Sequence, residues 1–221
     1  MPETQSQLLK KDLFGQVSLH IDEYGSSIVR DTSAAPLATR WIARRLLARE
    51  GRALAAADGL DGVPELLQCE RDRLRRSYVD GAPLHRATPP SAVFFRDAHR
   101  LLRRLHRNNI AHNDLAKEPN ILVTHAGTPA FIDFQLAWFA PQRGRLFRLL
   151  AREDLRHLLK HKRTYCPAEL TAREQRILAT PSLPSRLWMA TGKKFYLFVT
   201  RRLLGWADRE GASDRHSLPR Q

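Results

Sequence analysis

Residues 110–137, IAHNDLAKEPNILVTHAGTPAFIDFQLA, constrain this chain more than any other stretch. Two short apolar runs, NILV and AFID, are joined by THAGTP, and that spacing predicts a short β-hairpin. Around it stand Asp114, Asn120 and Asp133, two carboxylates and an amide carbonyl, all hard oxygen donors. Such a set suits Mg2+ and a polyphosphate better than zinc or a nucleophilic triad. The chemistry it points to is phosphoryl transfer. Asp114 would be the catalytic base beside an acceptor hydroxyl, with Asn120 and Asp133 gripping the metal on a nucleotide. A turn cap at Asp114 and a strand-end turn at Asp133 are the plainer readings of the same positions.

The rest of the chain alternates between the two periods of regular structure. Val17, Leu19 and Ile21, followed by the turn DEYGSS and by IVR, predict a hairpin or meander over residues 15–30. Residues 37–57 carry Leu37, Trp41, Ile42, Leu46, Leu47 and Leu54 near helical spacing, with Gly51 as a weak point inside the helix. A turn and a short strand follow in DGLDGVPELL, then a strand in RLRRSYVDGAPL that leaves through a Gly-Pro break. A second helix over 91–107 stripes Phe94, Ala98, Leu101, Leu102 and Leu105 on one face and runs straight into the loop with Asp114. Further helices are expected around 153–162 and 193–204, and residues 1–11 read as a frayed leader. Strands, helix, strands and then mostly helices make an α+β pattern.

Charge and cysteine content narrow the setting. The net charge of +14 sits mostly in residues 141–221, which hold 18 Lys/Arg against 7 Asp/Glu. A basic surface attracts phosphate-rich partners, or is simply a solvated face. The aromatics are not interleaved as in a stacking platform for nucleic acid, so that partner is not expected. Cys69 and Cys166 stand alone, as reduced thiols of a cytoplasmic protein would. The N-terminus shows no apolar signal region, and the run FYLFVT is too short to span a bilayer. Residues 193–204 place Phe195, Phe198, Val199 and Leu203 beside Arg201 and Arg202, which leaves open a peripheral contact with an anionic inner-membrane surface.

The loop and hairpin also resemble the protein-kinase-like superfamily, whose signature is H-x-D-L-x-x-x-N followed by a strand ending in D-F-G. Here the match is HNDLAKEPN and DFQ, nearest to the small bacterial kinases of the RIO type and the lipopolysaccharide (Kdo) kinases. The resemblance implies a two-lobed fold, with a small β-rich lobe over residues 1–81 and a reduced, mainly helical lobe over 82–221. It implies ATP and Mg2+ as cofactors, and a protein Ser/Thr or an envelope sugar as acceptor. By the same resemblance His112 braces the loop by hydrogen bonds, and Lys117 steadies the γ-phosphate. Arg30 stands where the family has a strand lysine, Glu50 on the following helix is its partner, and Tyr78 and Val79 form the hinge at the adenine edge. Three departures keep a second reading open, a nucleotide-binding adaptor without turnover. They are Arg30 itself, Gln135 in place of glycine, and six positions from Asp114 to Asn120 where five are usual. Outside the motif, Asp154 could brace the loop from below. His157 and His161, four apart, read as a surface or interlobe pair rather than metal ligands.

Overall fold

Strand pairing organises the first eighty residues. The computed structural model describes residues 5–23, 25–87 and 91–180. The expected meander is present as β2 (Gly15–Asp22) and β3 (Gly25–Asp31), antiparallel with Val17 opposite Arg30 and Leu19 opposite Ile28. The leader expectation fails from Gln5 onward, because β1 (Gln5–Asp12) pairs antiparallel with β2. The segment QSQLLKK has no polar–apolar alternation, and its side chains are exposed. The backbone ladder holds it, with one side-chain contact from Ser6 Oγ to His20 Nε2 at 3.3 Å, and Lys10 and Lys11 charge the edge. Gly15 follows the turn with φ +115°, and a Cβ there would lie 2.1 Å from the Asp31 carbonyl oxygen, so only glycine fits.

Helix α1 (Leu37–Ala56) lays Ala43, Leu47, Glu50, Gly51 and Leu54 inward. Gly51 is a contact point rather than a weakness. A Cβ there would come within 2.6 Å of Cys69 Sγ, so the missing side chain lets the helix approach β4 (Leu66–Cys69). Strand β5 (Arg73–Ser77) pairs with both β3 and β4, completing a five-stranded antiparallel sheet in the order β1-β2-β3-β5-β4.

The chain then crosses through β6 (Ala82–Pro83) into the helical part. Helix α2 (Ala92–Arg107) is capped by Ser91, whose Oγ accepts from the Phe94 N–H, and it buries the expected stripe together with Phe95. It ends at Asn109, which takes φ 61°, a conformation asparagine tolerates better than most residues. Strand β7 (Ile110–Ala111) opens the loop. The NILV and AFID runs form the expected hairpin as β8 (Ile121–Val123) and β9 (Pro129–Phe131), with β6 on the outer side of β8. Strand β10 (Trp138–Phe139) returns to pair with β7.

Helix α3 (Arg145–Tyr165) starts eight residues before the expected 153, because Phe147 continues the apolar stripe and is buried beside Ala111 and Ala140. Helix α4 (Ala172–Ala179) was not anticipated. Its signal is the capping box Thr171-x-x-Glu174, in which Thr171 N–H donates to Glu174 Oε2 and Glu174 N–H donates to Thr171 Oγ1. The helix expected over 193–204, and with it the membrane contact, lies outside the described residues. One core joins Leu47 and Leu54 of α1, Leu105 of α2, Ile121 and Phe131 of the hairpin and Leu158 of α3. Among the described residues no helix is long and apolar enough to cross a membrane.

Candidate active site

The loop between β7 and β8 is held from three sides. Asp154 of α3 reaches up from below. Its Oδ2 accepts the His112 backbone N–H at 2.7 Å and its Oδ1 accepts the Asn113 N–H at 2.8 Å, while His106 Nε2 of α2 sits 3.2 Å from Oδ2. His112 is fully buried, and its Nε2 donates to the Ile132 carbonyl at 3.0 Å. Its Nδ1 then accepts the Asp114 N–H at 3.3 Å, so the ring is the neutral Nε2–H tautomer. Burial holds the imidazole below its ordinary pKa despite the acidic groups around it. From the far side, His161 Nε2 of α3 donates to the Leu115 carbonyl at 2.8 Å, and Tyr165 Oη donates to Glu118 Oε2 at 2.8 Å.

That frame brings the three oxygen-bearing residues together. Asn120 Nδ2 donates to the Asp114 carbonyl at 3.0 Å and to Asp114 Oδ2 at 2.9 Å. Both bonds use its nitrogen, so the amide oxygen, Oδ1, is the atom free to meet a metal. Lys117 Nζ also contacts Asp114 Oδ2, at 3.0 Å, from an exposed position. Asp114 is therefore anchored through Oδ2, and these contacts leave Oδ1 uncommitted. Burial raises its pKa, and Lys117 and Asn120 offset part of that rise.

Asp133 follows β9, where the Ile132 N–H donates to the Asn120 carbonyl at 3.0 Å. Its backbone is left-handed, φ 64° and ψ 72°, a conformation that aspartate tolerates better than most residues other than glycine. Gln135 Nε2 donates to Asp133 Oδ1 at 2.9 Å, and Arg30 lies 4.0 Å from the same oxygen. Burial pushes the Asp133 pKa up, but Arg30, Gln135 and Arg76 together outweigh it and hold the carboxyl below its ordinary range. Two carboxylates and one amide oxygen are a donor set that fits Mg2+, which keeps its remaining sites for water and phosphate oxygens.

On the sheet side, Arg30 Nε lies 3.2 Å from Glu50 Oε2, as the expected pairing requires. Arg76 of β5, which sequence reading missed, lies 3.2 Å from the other oxygen, Glu50 Oε1. The signal was present. Leu74 and Arg76 are two apart on a strand, so they share its buried face. At the exit of β5, the Tyr78 N–H donates to the Ser26 carbonyl at 3.0 Å, so the edge Tyr78 offers to a base is its carbonyl. Val79 is half-buried beside it. A Cβ on Gly81 would come within 2.8 Å of the Val123 carbonyl, so glycine lets the chain pass close against β8. Two clefts of about 440 and 320 Å3 lie against α2 and α3, around His99 and Glu174; His106 lines the larger, and Asp114, Asn120, Asp133, Arg30 and Glu50 line neither.

No family model matches the chain, and no curated protein matches it. Among solved structures it is similar to the Rio2 kinase from Chaetomium thermophilum, with a TM-score of 0.59 and 16% identity over 93% of this chain and 74% of that one. It is similar also to that kinase in an ADP/Mg2+-phosphoaspartate complex, with a TM-score of 0.58 and 16% identity over 92% of this chain and 70% of that one. The chain has a protein-kinase-like fold.

Within this kinase-like fold the lowered pKa of Asp133 has a consequence for stability. Asp133 releases its proton more readily folded than unfolded. Its contribution is therefore fully present above the ordinary aspartate range and is lost as pH falls through the folded value. Urea midpoints of the unaltered chain are expected to fall more steeply than those of Asp133→Asn between about pH 5 and pH 2. Parallel profiles would show that Asp133 is not held ionised by its neighbours.

Proposed function

We propose that this protein is an ATP- and Mg2+-dependent phosphotransferase that passes the γ-phosphate to an alcohol hydroxyl. The observation that carries the reading is the convergence of Asp114, Asn120 and Asp133 opposite the Arg30–Glu50 pair. Asp114 Oδ1 orients the acceptor hydroxyl and takes its proton late, while Asn120 Oδ1 and Asp133 would hold Mg2+ for the nucleotide. Lys117, exposed at the mouth of the loop, steadies the γ-phosphate as charge moves to the leaving group. Arg30 takes the α/β-phosphates, and Tyr78 and Val79 present backbone to the adenine. His112, neutral and buried, keeps the loop in shape and moves no proton. The magnesium supplies charge neutralisation and a fixed phosphate geometry when bound.

The acceptor is a protein Ser/Thr or an envelope sugar such as that of lipopolysaccharide. The basic balance of residues 141–221 favours an anionic or already phosphorylated one. The setting that fits is the cytoplasm, and the basic segment 193–204 leaves open a peripheral contact with an anionic membrane surface. That the Rio2 neighbour is found with ADP and Mg2+ supports the choice of nucleotide and metal.

The second reading, a nucleotide-binding adaptor, is favoured by the Gln135 bond and the Arg30 contact on Asp133 Oδ1, which compete with a metal for that oxygen. Incubation with γ-labelled ATP and Mg2+ across protein and sugar acceptors separates the two, with Asp133→Ala as the blank. Label transfer or hydrolysis above the blank is the expected result. Nucleotide bound without turnover, whatever the metal and acceptor, would replace the enzyme with the adaptor.

A further inference from the structure

The floor of the site holds one more charge than the proposed chemistry uses. Glu50 is fully buried, yet two guanidinium groups share it, Arg30 on Oε2 and Arg76 on Oε1, each at 3.2 Å. The side chains of Arg30 and Arg76 are only 13% and 10% exposed. Their strands are adjacent, with Ile28 opposite Arg76 and Arg30 opposite Leu74, so both arginines reach Glu50 from one face of the sheet. At these distances the three groups are ion-paired. Neither Glu50 oxygen, however, receives a hydrogen bond of good angle. The cluster is held by charge rather than by directed bonds, and such a hold can be exchanged.

Arg30 also leans outward, with Nη2 4.0 Å from Asp133 Oδ1. In this arrangement Arg30 lies between the buried carboxylate and the carboxylate proposed for the metal. With Mg2+ held at Asp133, Arg30 would be free to turn toward the phosphates. A lone Glu50 left behind at zero exposure would resist that turn, because an unpaired buried charge is costly.

We infer that Arg76 is a positioning residue: it stays with Glu50 as a permanent counter-charge, so that Arg30 is released to the nucleotide phosphates. The balance is simple. Without nucleotide, Arg30 and Arg76 match Glu50 and Asp133. With Mg2+ and the polyphosphate bound, Arg76 matches Glu50 alone, Mg2+ covers Asp133, and Arg30 covers phosphate. The inference rests on the phosphotransferase reading and adds to it the device that lets an arginine serve where the resembling family has a lysine.

The test is calorimetric titration of a non-hydrolysable ATP analogue with Mg2+ into the full chain. Arg76→Met is expected to weaken binding by about tenfold or more, because Arg30 is then retained by Glu50. Adding Glu50→Gln to Arg76→Met removes the retaining charge and is expected to recover most of the loss. Arg76→Lys, which keeps a cation there, is expected to recover it as well. A merely structural arginine would give losses that accumulate in the double variant, and that outcome overturns the inference. So does unaltered affinity in folded Arg76→Met, or a loss in folded Arg76→Lys as large as with methionine. If Arg76→Met does not fold, Glu50→Gln and the double variant are compared directly. Equal or tighter binding by the double variant supports the inference, and weaker binding overturns it. A starting chain that binds no nucleotide would bring down the phosphotransferase reading itself, whereas the other failures leave that reading standing.

Discussion

Asp114→Asn is expected to slow phosphoryl transfer by roughly 100- to 10,000-fold while nucleotide affinity and fold are retained. Asparagine has the shape of aspartate and still presents an oxygen to Asn120 Nδ2 and Lys117 Nζ, the two donors that fix Asp114 in place. What it cannot do is accept a proton from the acceptor hydroxyl. The loop does not depend on the Asp114 charge for its shape, because His112 is bonded to Ile132 and Asp154 on either side of it. Burial disfavours the ionised Asp114, so neutralising it removes a cost and the thermal midpoint is expected to stay level or rise. Single-turnover transfer from labelled ATP, read beside a thermal melt, checks both halves. A rate within about tenfold of the original would remove Asp114 from the base position.

Asp154→Ala is the largest expected loss of stability, about 3–5 kcal/mol. Asp154 is 1% exposed, and its two oxygens take the backbone N–H groups of His112 and Asn113, with His106 as a third neighbour. Alanine would leave one buried and one part-buried backbone donor without acceptors, each worth up to roughly 1–3 kcal/mol. Activity should vanish even at temperatures where the variant remains folded, because Asp154 fixes the His112 and Asn113 backbone that leads into Asp114. Urea unfolding measures the first effect and label transfer the second. Asp154→Asn, which keeps one good acceptor, is expected between the two. A loss below about 1 kcal/mol on removing the carboxylate would mean that water satisfies those donors and that the brace is dispensable.

The parts of this molecule that could be read from its residues are those whose signal is local. The α2 stripe from Phe94 to Leu105, the hairpin of NILV and AFID, and the close sequence of Asp114 and Asn120 all lie within a few turns of chain. The Arg30–Glu50 pair was legible only through the family resemblance, since the two meet across a strand and a helix. What escaped depends on partners far along the chain. Strand β1 is held by hydrogen bonds to β2 and leaves no pattern in its side chains. Arg76 becomes significant only once β5 is laid beside β3. His161 and Tyr165 support Leu115 and Glu118 from 46 and 47 residues away, and no spacing rule joins them. Helix α4 is different, since its Thr171–Glu174 capping box was there to be read.

Phe134, directly after Asp133, is fully enclosed and packs beneath α1, with the His112 ring 4.6 Å away. Small molecules that need this ring swung out of its seat would have to open a void in the middle of the domain. A void the size of a phenylalanine side chain costs about 3–5 kcal/mol, which is roughly a hundredfold or more in affinity. Inhibitor discovery against this protein should therefore begin with compounds that leave the ring in place.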